Sequence, residues 1–259
     1  MVFRWSWWWR NSWFDAPRKS IILCYWSEFW AFLFLFDMIM TMKLLLTSGG
    51  IENQSMVDAL RELVGRDFTE AKLAFIPTAA NVEAGDKWWL IKDLTKCKEL
   101  GFKEVDVVDI SAVPQRVWQP RLEHADVFVV GGGNTYHLMY WVRKSGLDTM
   151  LPGLLQTRVY VGISAGTVIA TPSLVNSSAE KALLKELDET VYDEGLGFVD
   201  FMVEPHINND YFPELTFDYV AEQSKKWSHP VYALDDSSAV KVDGDKVDVV
   251  TEGTWKKYN

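Results

Sequence analysis

The amino-acid sequence predicts an α/β fold: a doubly wound, mostly parallel sheet with an antiparallel C-terminal edge. Two observations carry that prediction. From residue 42 onward, short and nearly continuous apolar runs alternate with longer segments whose apolar residues recur at helical spacing. That is the pattern of parallel strands buried on both faces beneath crossover helices. Near the C terminus the runs AVKVDG and KVDVVT meet at Asp243-Gly244, a dipeptide that favours a tight hairpin.

The elements follow in order. KLLLTSGG (43–50) reads as a buried strand closed by glycines, and 55–64 as a helix with Val57, Leu60, Leu63 and Val64 on one face. KLAFIPTAA (72–80) is a strand stopped by Pro77, and 86–100 a helix with Gly101 at its C-terminal end. VDVVDI (105–110) and DVFVVGGGN (126–134) are strands, and 135–144 is a helix ended by Gly146. RVYVGIS (158–164) is a strand that runs into a helix at the Ser-Ala-Gly step. Beyond residue 200 come FMVEPHI, a helix over 212–225, VYALDD and the hairpin. One domain is expected, 42–259, without a linker. Ligands of such sheets bind beyond the C-terminal strand ends, where three turns stand out: 131–134, 162–166 and 205–206.

Composition narrows the function. The chain has 259 residues and a net charge of −10, with no basic stripe, so no nucleic-acid partner is expected. Cys24 and Cys97 form neither a CxxC pair nor a disulfide framework, which fits a reducing, cytoplasmic setting. The histidines (His124, His137, His206, His229) are scattered, so neither a metal nor a cofactor is expected. Residues 1–41 stand apart, holding seven of the 13 tryptophans. Their stretch 21–40 is long and apolar enough for a membrane span, but Glu28 and Asp37 interrupt it. The reading is a leader outside the fold with Met42 as the true start, and no membrane contact unless that leader belongs to the native protein.

GISAG (162–166) matches G-x-S-x-G directly after a buried strand and directly before a helix. A nucleophile elbow needs that context, because the sharp turn lifts the Ser164 hydroxyl out of the sheet and places the Ala165 N–H beside it. A strand-to-helix turn in which Ser164 caps the helix is the competing reading. The loop VVGGGNT offers flexible backbone N–H groups for an anion, with Asn134 or Thr135 capping the next helix. It has neither G-x-G-x-x-G spacing nor a P-loop lysine, and an ordinary glycine turn competes. A serine also needs a base. His124 and His229 precede strands, at the wrong end of the sheet, and His137 lies inside a helix. His206 ends FMVEPH, on the same edge as Ser164. Asp235 and Asp236 follow VYAL on that edge and offer an orienting carboxylate. Glu204 and Asp210 are closer in sequence, but Glu204 points along the same strand face as His206.

The order Ser164, His206, Asp236 and the blocks TSGG, FIPTAA, VVGGGNT, GISAGT, GLGFVDFMVEPHI and ALDDSSAVKV resemble the peptidase E (aspartyl dipeptidase) family of serine peptidases, with cyanophycinase a more distant relative. The resemblance spans 42–259 and implies a flavodoxin-like, class I glutamine amidotransferase-like fold. It implies Ser164 as nucleophile, His206 as general base, Asp236 where the family has glutamate, and an oxyanion hole from the backbone of Gly132, Gly133 and Ala165. It also implies an arginine downstream of the histidine for the substrate's acidic side chain. The last arginine here is Arg158, and Lys225 and Lys226 are the nearest cations. The expected function is hydrolysis of short, dipeptide-like substrates, with a homodimer left open. A binding or regulatory protein that keeps the fold without the chemistry is the alternative, and His206 more than about 4 Å from Ser164 and from an acid would favour it.

Overall fold

The computed structural model describes residues 42–174 and 178–259; the leader read at 1–41 lies outside the described residues. Seven strands form the main sheet. In chain order these are β1 (Lys43–Thr47), β2 (Lys72–Ile76), β3 (Glu104–Val107), β4 (Val127–Val130), β5 (Val159–Ile163), β8 (Ser238–Asp243) and β9 (Lys246–Thr251), the numbers between belonging to a second sheet. Their spatial order is β3-β2-β4-β5-β1-β8-β9. The first five run parallel, while β8 and β9 add the expected antiparallel edge. The outer strand β3, EVDV, is half-exposed and carries the charges of an edge.

Alternation within the strands shows why the sheet is covered twice. Val127 and Val129 of β4 join one apolar cluster, and Phe128 and Val130 join the other. Leu45 of β1 likewise faces opposite to Leu44 and Leu46. Successive side chains of a strand point to opposite faces, so an unbroken apolar strand requires a helix layer on each side. Helices α1 (Gln54–Val64) and α2 (Trp88–Glu99) supply one layer. Helices α3 (Gln115–His124), α4 (Thr135–Ser145) and α5 (Leu147–Leu154) supply the other.

The second sheet corrects the expectation that all strands share one edge. Strands β6 (Met202–Glu204), β7 (Val231–Leu234) and β10 (Trp255–Tyr258) form a three-stranded sheet in the order β10-β7-β6. One face, with Val203, Tyr232 and Leu234, joins the main core. The other, with Met202, Val231 and Ala233, packs with Val220 of a helix over Phe217–Ser224. His206 and Asp236 therefore follow strands of this smaller sheet, not of the one that carries Ser164. The helix expected at the Ser-Ala-Gly step is a single turn, α6 (Ala165–Val168), followed by α7 (Ser178–Glu186); Phe217–Ser224 is α8. Among the described residues, no helix is long and apolar enough to cross a membrane.

Candidate active site

Strand β5 lies between β4 and β1, and Ser164 leaves its C-terminal end with φ 50° and ψ −109°. A non-glycine residue held at such angles is strained and persists only where its surroundings fix it. Here the Ser164 N–H donates to the carbonyls of Thr47 and Ser48 at 3.2 and 3.1 Å, and its own carbonyl accepts from Thr167 and Val168 at 2.9 Å. Both glycines of the motif are steric necessities. A Cβ at Gly162 would meet Thr167 backbone at 2.7 Å, and one at Gly166 would meet the Val130 carbonyl at 2.0 Å. The Ser164 side chain makes no cap bond to α6. Its Oγ lies 2.8 Å from His206 Nε2 instead.

His206 also has a positive φ, 62°, and its N–H donates to Ser48 Oγ at 2.7 Å. Its Nδ1 lies 2.7 Å from Asp236 Oδ1, so the carboxylate reaches the imidazole although its side chain is short. Asp236 Oδ1 also accepts from Ser48 Oγ at 2.8 Å, and Oδ2 accepts from Asn209 Nδ2. Burial pulls the Asp236 carboxyl upward. The hydrogen bond and charge of His206, with the Ser48 and Asn209 donors, outweigh it and hold the group down at about 2. Gly49 leaves room for this carboxylate, since a Cβ there would sit 2.8 Å from Asp236 Cβ.

The glycine loop closes the other side of the serine. A Cβ on Gly132 would lie 3.2 Å from Ser164 Cβ, and Gly133 (φ 128°) packs against the Ala79 carbonyl, which a Cβ would approach to 2.3 Å. Among the described residues, the N–H groups of Gly132, Gly133 and Ala165 donate to no other backbone group. Asn134 caps α4 by accepting from the His137 N–H at 2.8 Å.

The remaining candidates lie elsewhere. Asp235 turns away from its neighbour and ties the β7–β8 turn together, accepting from Ser238 Oγ at 2.7 Å and Thr254 Oγ1 at 3.0 Å. Glu204 is buried in β6 with Oε2 unpartnered among the described residues, and burial pushes its carboxyl up to about 8. His124 lies beside Glu104 and Lys72, His137 pairs with Glu189 at 2.7 Å, and His229 contacts the Asp200 carbonyl. Arg158 donates to the Ala125 and Glu123 carbonyls just before β5, at the end of the strand opposite Ser164. Lys225 and Lys226 bond to Glu222 and Gln223, at the end of α8. Cys97 is buried, its thiol pushed up to about 12 chiefly by that burial. No group of three His, Cys, Asp or Glu suited to a metal occurs among the described residues.

Sequence reasoning missed Ser48, Asn209 and Phe212, whose ring stacks on His206 at 4.8 Å. TSGG was legible as a motif: the Thr47 and Ser48 carbonyls hold the Ser164 N–H, Ser48 Oγ meets His206 and Asp236, and Gly49 leaves room for the carboxylate.

Comparison with known proteins agrees with this architecture. An uncharacterized peptidase of Listeria monocytogenes is 30% identical over 176 residues, covering 68% of this chain and 83% of that protein. Peptidase E of a Nostoc species is 29% identical over 143 residues, 55% of this chain and 54% of that one. The crystal structure of a candidate peptidase E protein from Listeria monocytogenes superposes with a TM-score of 0.67 at 28% identity, over 82% of this chain and 99% of that one. The profile of peptidase family S51 matches residues 44–250, so the chain belongs to that family and is a serine-type peptidase.

Proposed function

We propose that the protein hydrolyses short peptides through Ser164, His206 and Asp236. The observation that carries this reading is the unbroken chain from the strained serine to the carboxylate, with contacts of 2.8 and 2.7 Å. Both are within hydrogen-bond reach, which favours a working peptidase over a protein that has kept only the fold.

In this reading His206 Nε2 takes the Ser164 proton as Oγ attacks the scissile carbonyl. Asp236 fixes the tautomer in which Nδ1 carries hydrogen and Nε2 is free to accept. The carbonyl oxygen gains charge and is met by the N–H groups of Gly132, Gly133 and Ala165. The C–N bond then breaks, and Nε2–H delivers its proton to the departing amine. Water, activated by the same nitrogen, cleaves the acyl ester and regenerates Ser164.

Substrates need not begin with Asp. An arginine would grip an acidic side chain through two parallel hydrogen bonds, which a lysine cannot reproduce. The chain has no arginine after Arg158, and Arg158 lies at the far end of β5. The experiment is fluorophosphonate labelling combined with a dipeptide panel. Ser164→Ala should abolish labelling and hydrolysis, and wild type should cleave neutral N-terminal residues at least as well as Asp. Labelling that survives Ser164→Ala removes Ser164 from the mechanism, and a strong preference for Asp overturns the specificity.

A further inference from the structure

The loop after His206 carries an aromatic surface that the hydrolytic steps leave unused. Phe212 stacks on the His206 imidazole, the two ring planes 20° apart. Tyr211, beside it in sequence, lies 5.8 Å from the ring of Trp88 at the start of α2. One short loop thus holds Phe212 against the imidazole and Tyr211 against Trp88, a ring from a distant segment of chain. All three face solvent: Tyr211 is 71% exposed, Trp88 45% and Phe212 39%. Single exposed aromatics are ordinary, but adjoining ones beside a reactive centre mark ligand contact. Trp88 also lines a cavity of about 460 Å³ with Ile51, Ile91, Lys92 and Asp93, so the Tyr211–Trp88 pair borders open volume.

The loop is held in place before any ligand arrives. Asn209 Oδ1 accepts from the Tyr211 N–H at 2.7 Å, and the Asn209 carbonyl accepts from the Phe212 N–H at 3.0 Å. The same asparagine donates to Asp236. One residue therefore ties the aromatic loop to the catalytic carboxylate, and a surface already ordered loses little entropy on binding.

Resting on the reading of Ser164 and His206 above, we infer that Phe212, Tyr211 and Trp88 form a subsite for an apolar, above all aromatic, side chain on the leaving-amine side of the scissile bond. The direction follows from the chemistry. Nε2 must come within hydrogen-bond reach of the departing nitrogen, so the residue bearing that nitrogen lies along the imidazole, whose face Phe212 covers. The Gly132 backbone lies against Ser164 and belongs to the acyl side.

Three dipeptides test the subsite: Ala-Phe, Ala-Gly and Phe-Ala, with fluorophosphonate labelling of wild type run beside them. Ala-Phe should exceed Ala-Gly in kcat/KM by roughly tenfold, mostly through KM. Tyr211→Ala and Trp88→Ala, both at exposed positions, should each lower that ratio toward one. Equal rates on Ala-Phe and Ala-Gly overturn the subsite, as does a ratio unchanged in both variants or an aromatic preference confined to Phe-Ala. If wild type labels at Ser164 and cleaves without this preference, the subsite alone fails. Absence of both labelling and cleavage removes the catalytic reading and the subsite with it.

Discussion

Asp235 and Asp236 are consecutive carboxylates with opposite employment. One ties a turn, through Ser238 and Thr254; the other meets an imidazole and receives two further donors. The chain turns here, the Asp235 carbonyl accepting from the Ser238 N–H at 3.1 Å, so the two side chains diverge and only Asp236 meets His206. If, as proposed, Asp236 orients the imidazole and balances its charge, Asp236→Asn should lower kcat by roughly ten-thousandfold while leaving the fold intact. Steady-state kinetics alongside circular dichroism check both halves; a loss below tenfold removes Asp236 from its role. Its depressed pKa carries a sign as well. Ionised Asp236 favours the folded state above its ordinary value near 3.8, and that contribution disappears as pH falls toward 2.

At the scale of elements, the elbow depends on α6 lying almost in contact with β4. The Gly166 position has the Val130 carbonyl where a methyl group would need to be, and the Tyr160 hydroxyl donates to the Gly166 carbonyl at 2.5 Å. Gly166→Ala should therefore cost about 3 kcal/mol and displace Ser164 from its strained angles. Urea denaturation and fluorophosphonate labelling read the two effects, and a fully stable, fully labelled variant contradicts this packing. Strand runs such as KLLLT and VFVV were legible because burial on both faces leaves few polar residues to confuse the pattern. Helix α3 was not: PQRVWQPRLEH buries only Trp118 and Leu122 and contains Pro120, so its periodicity is faint. Helix α5 carries Pro152, and β10 reads WKKY with no buried face. Sheet membership of β6 and β7 was invisible for a different reason, since an apolar run records burial but not its hydrogen-bonding neighbour.

For the molecule as a whole, Glu204 sets a pH slope. Its folded-state pKa of about 8 stands above the ordinary 4.5, because burial disfavours the charged form and Oε2 has no partner among the described residues to offset it. The unfolded chain loses this proton first, so the Glu204 contribution to stability is full below about 4.5 and declines as pH rises to about 8. Glu204→Gln should flatten that decline, measured as urea midpoints across the interval; parallel curves for variant and wild type overturn the assignment. The same scale explains what the sequence could reveal of the site. Ser164, His206 and Asp236 each sit just after an apolar run, at recognisable punctuation. Ser48, Asn209 and Phe212 gain their importance only when two sheets meet, and no local pattern announces that meeting.

That meeting has a consequence for how the enzyme fails. Ser164 rides on the large sheet, His206 and Asp236 on the small one, and Ser48 is a single hydroxyl fastened to both His206 and Asp236 across the boundary. Hydrolysis in the proposed reading thus depends on the alignment of two sheets that share one apolar core. Mild heat or a low dose of denaturant should silence the enzyme before it melts, leaving an intact molecule that has merely lost its aim.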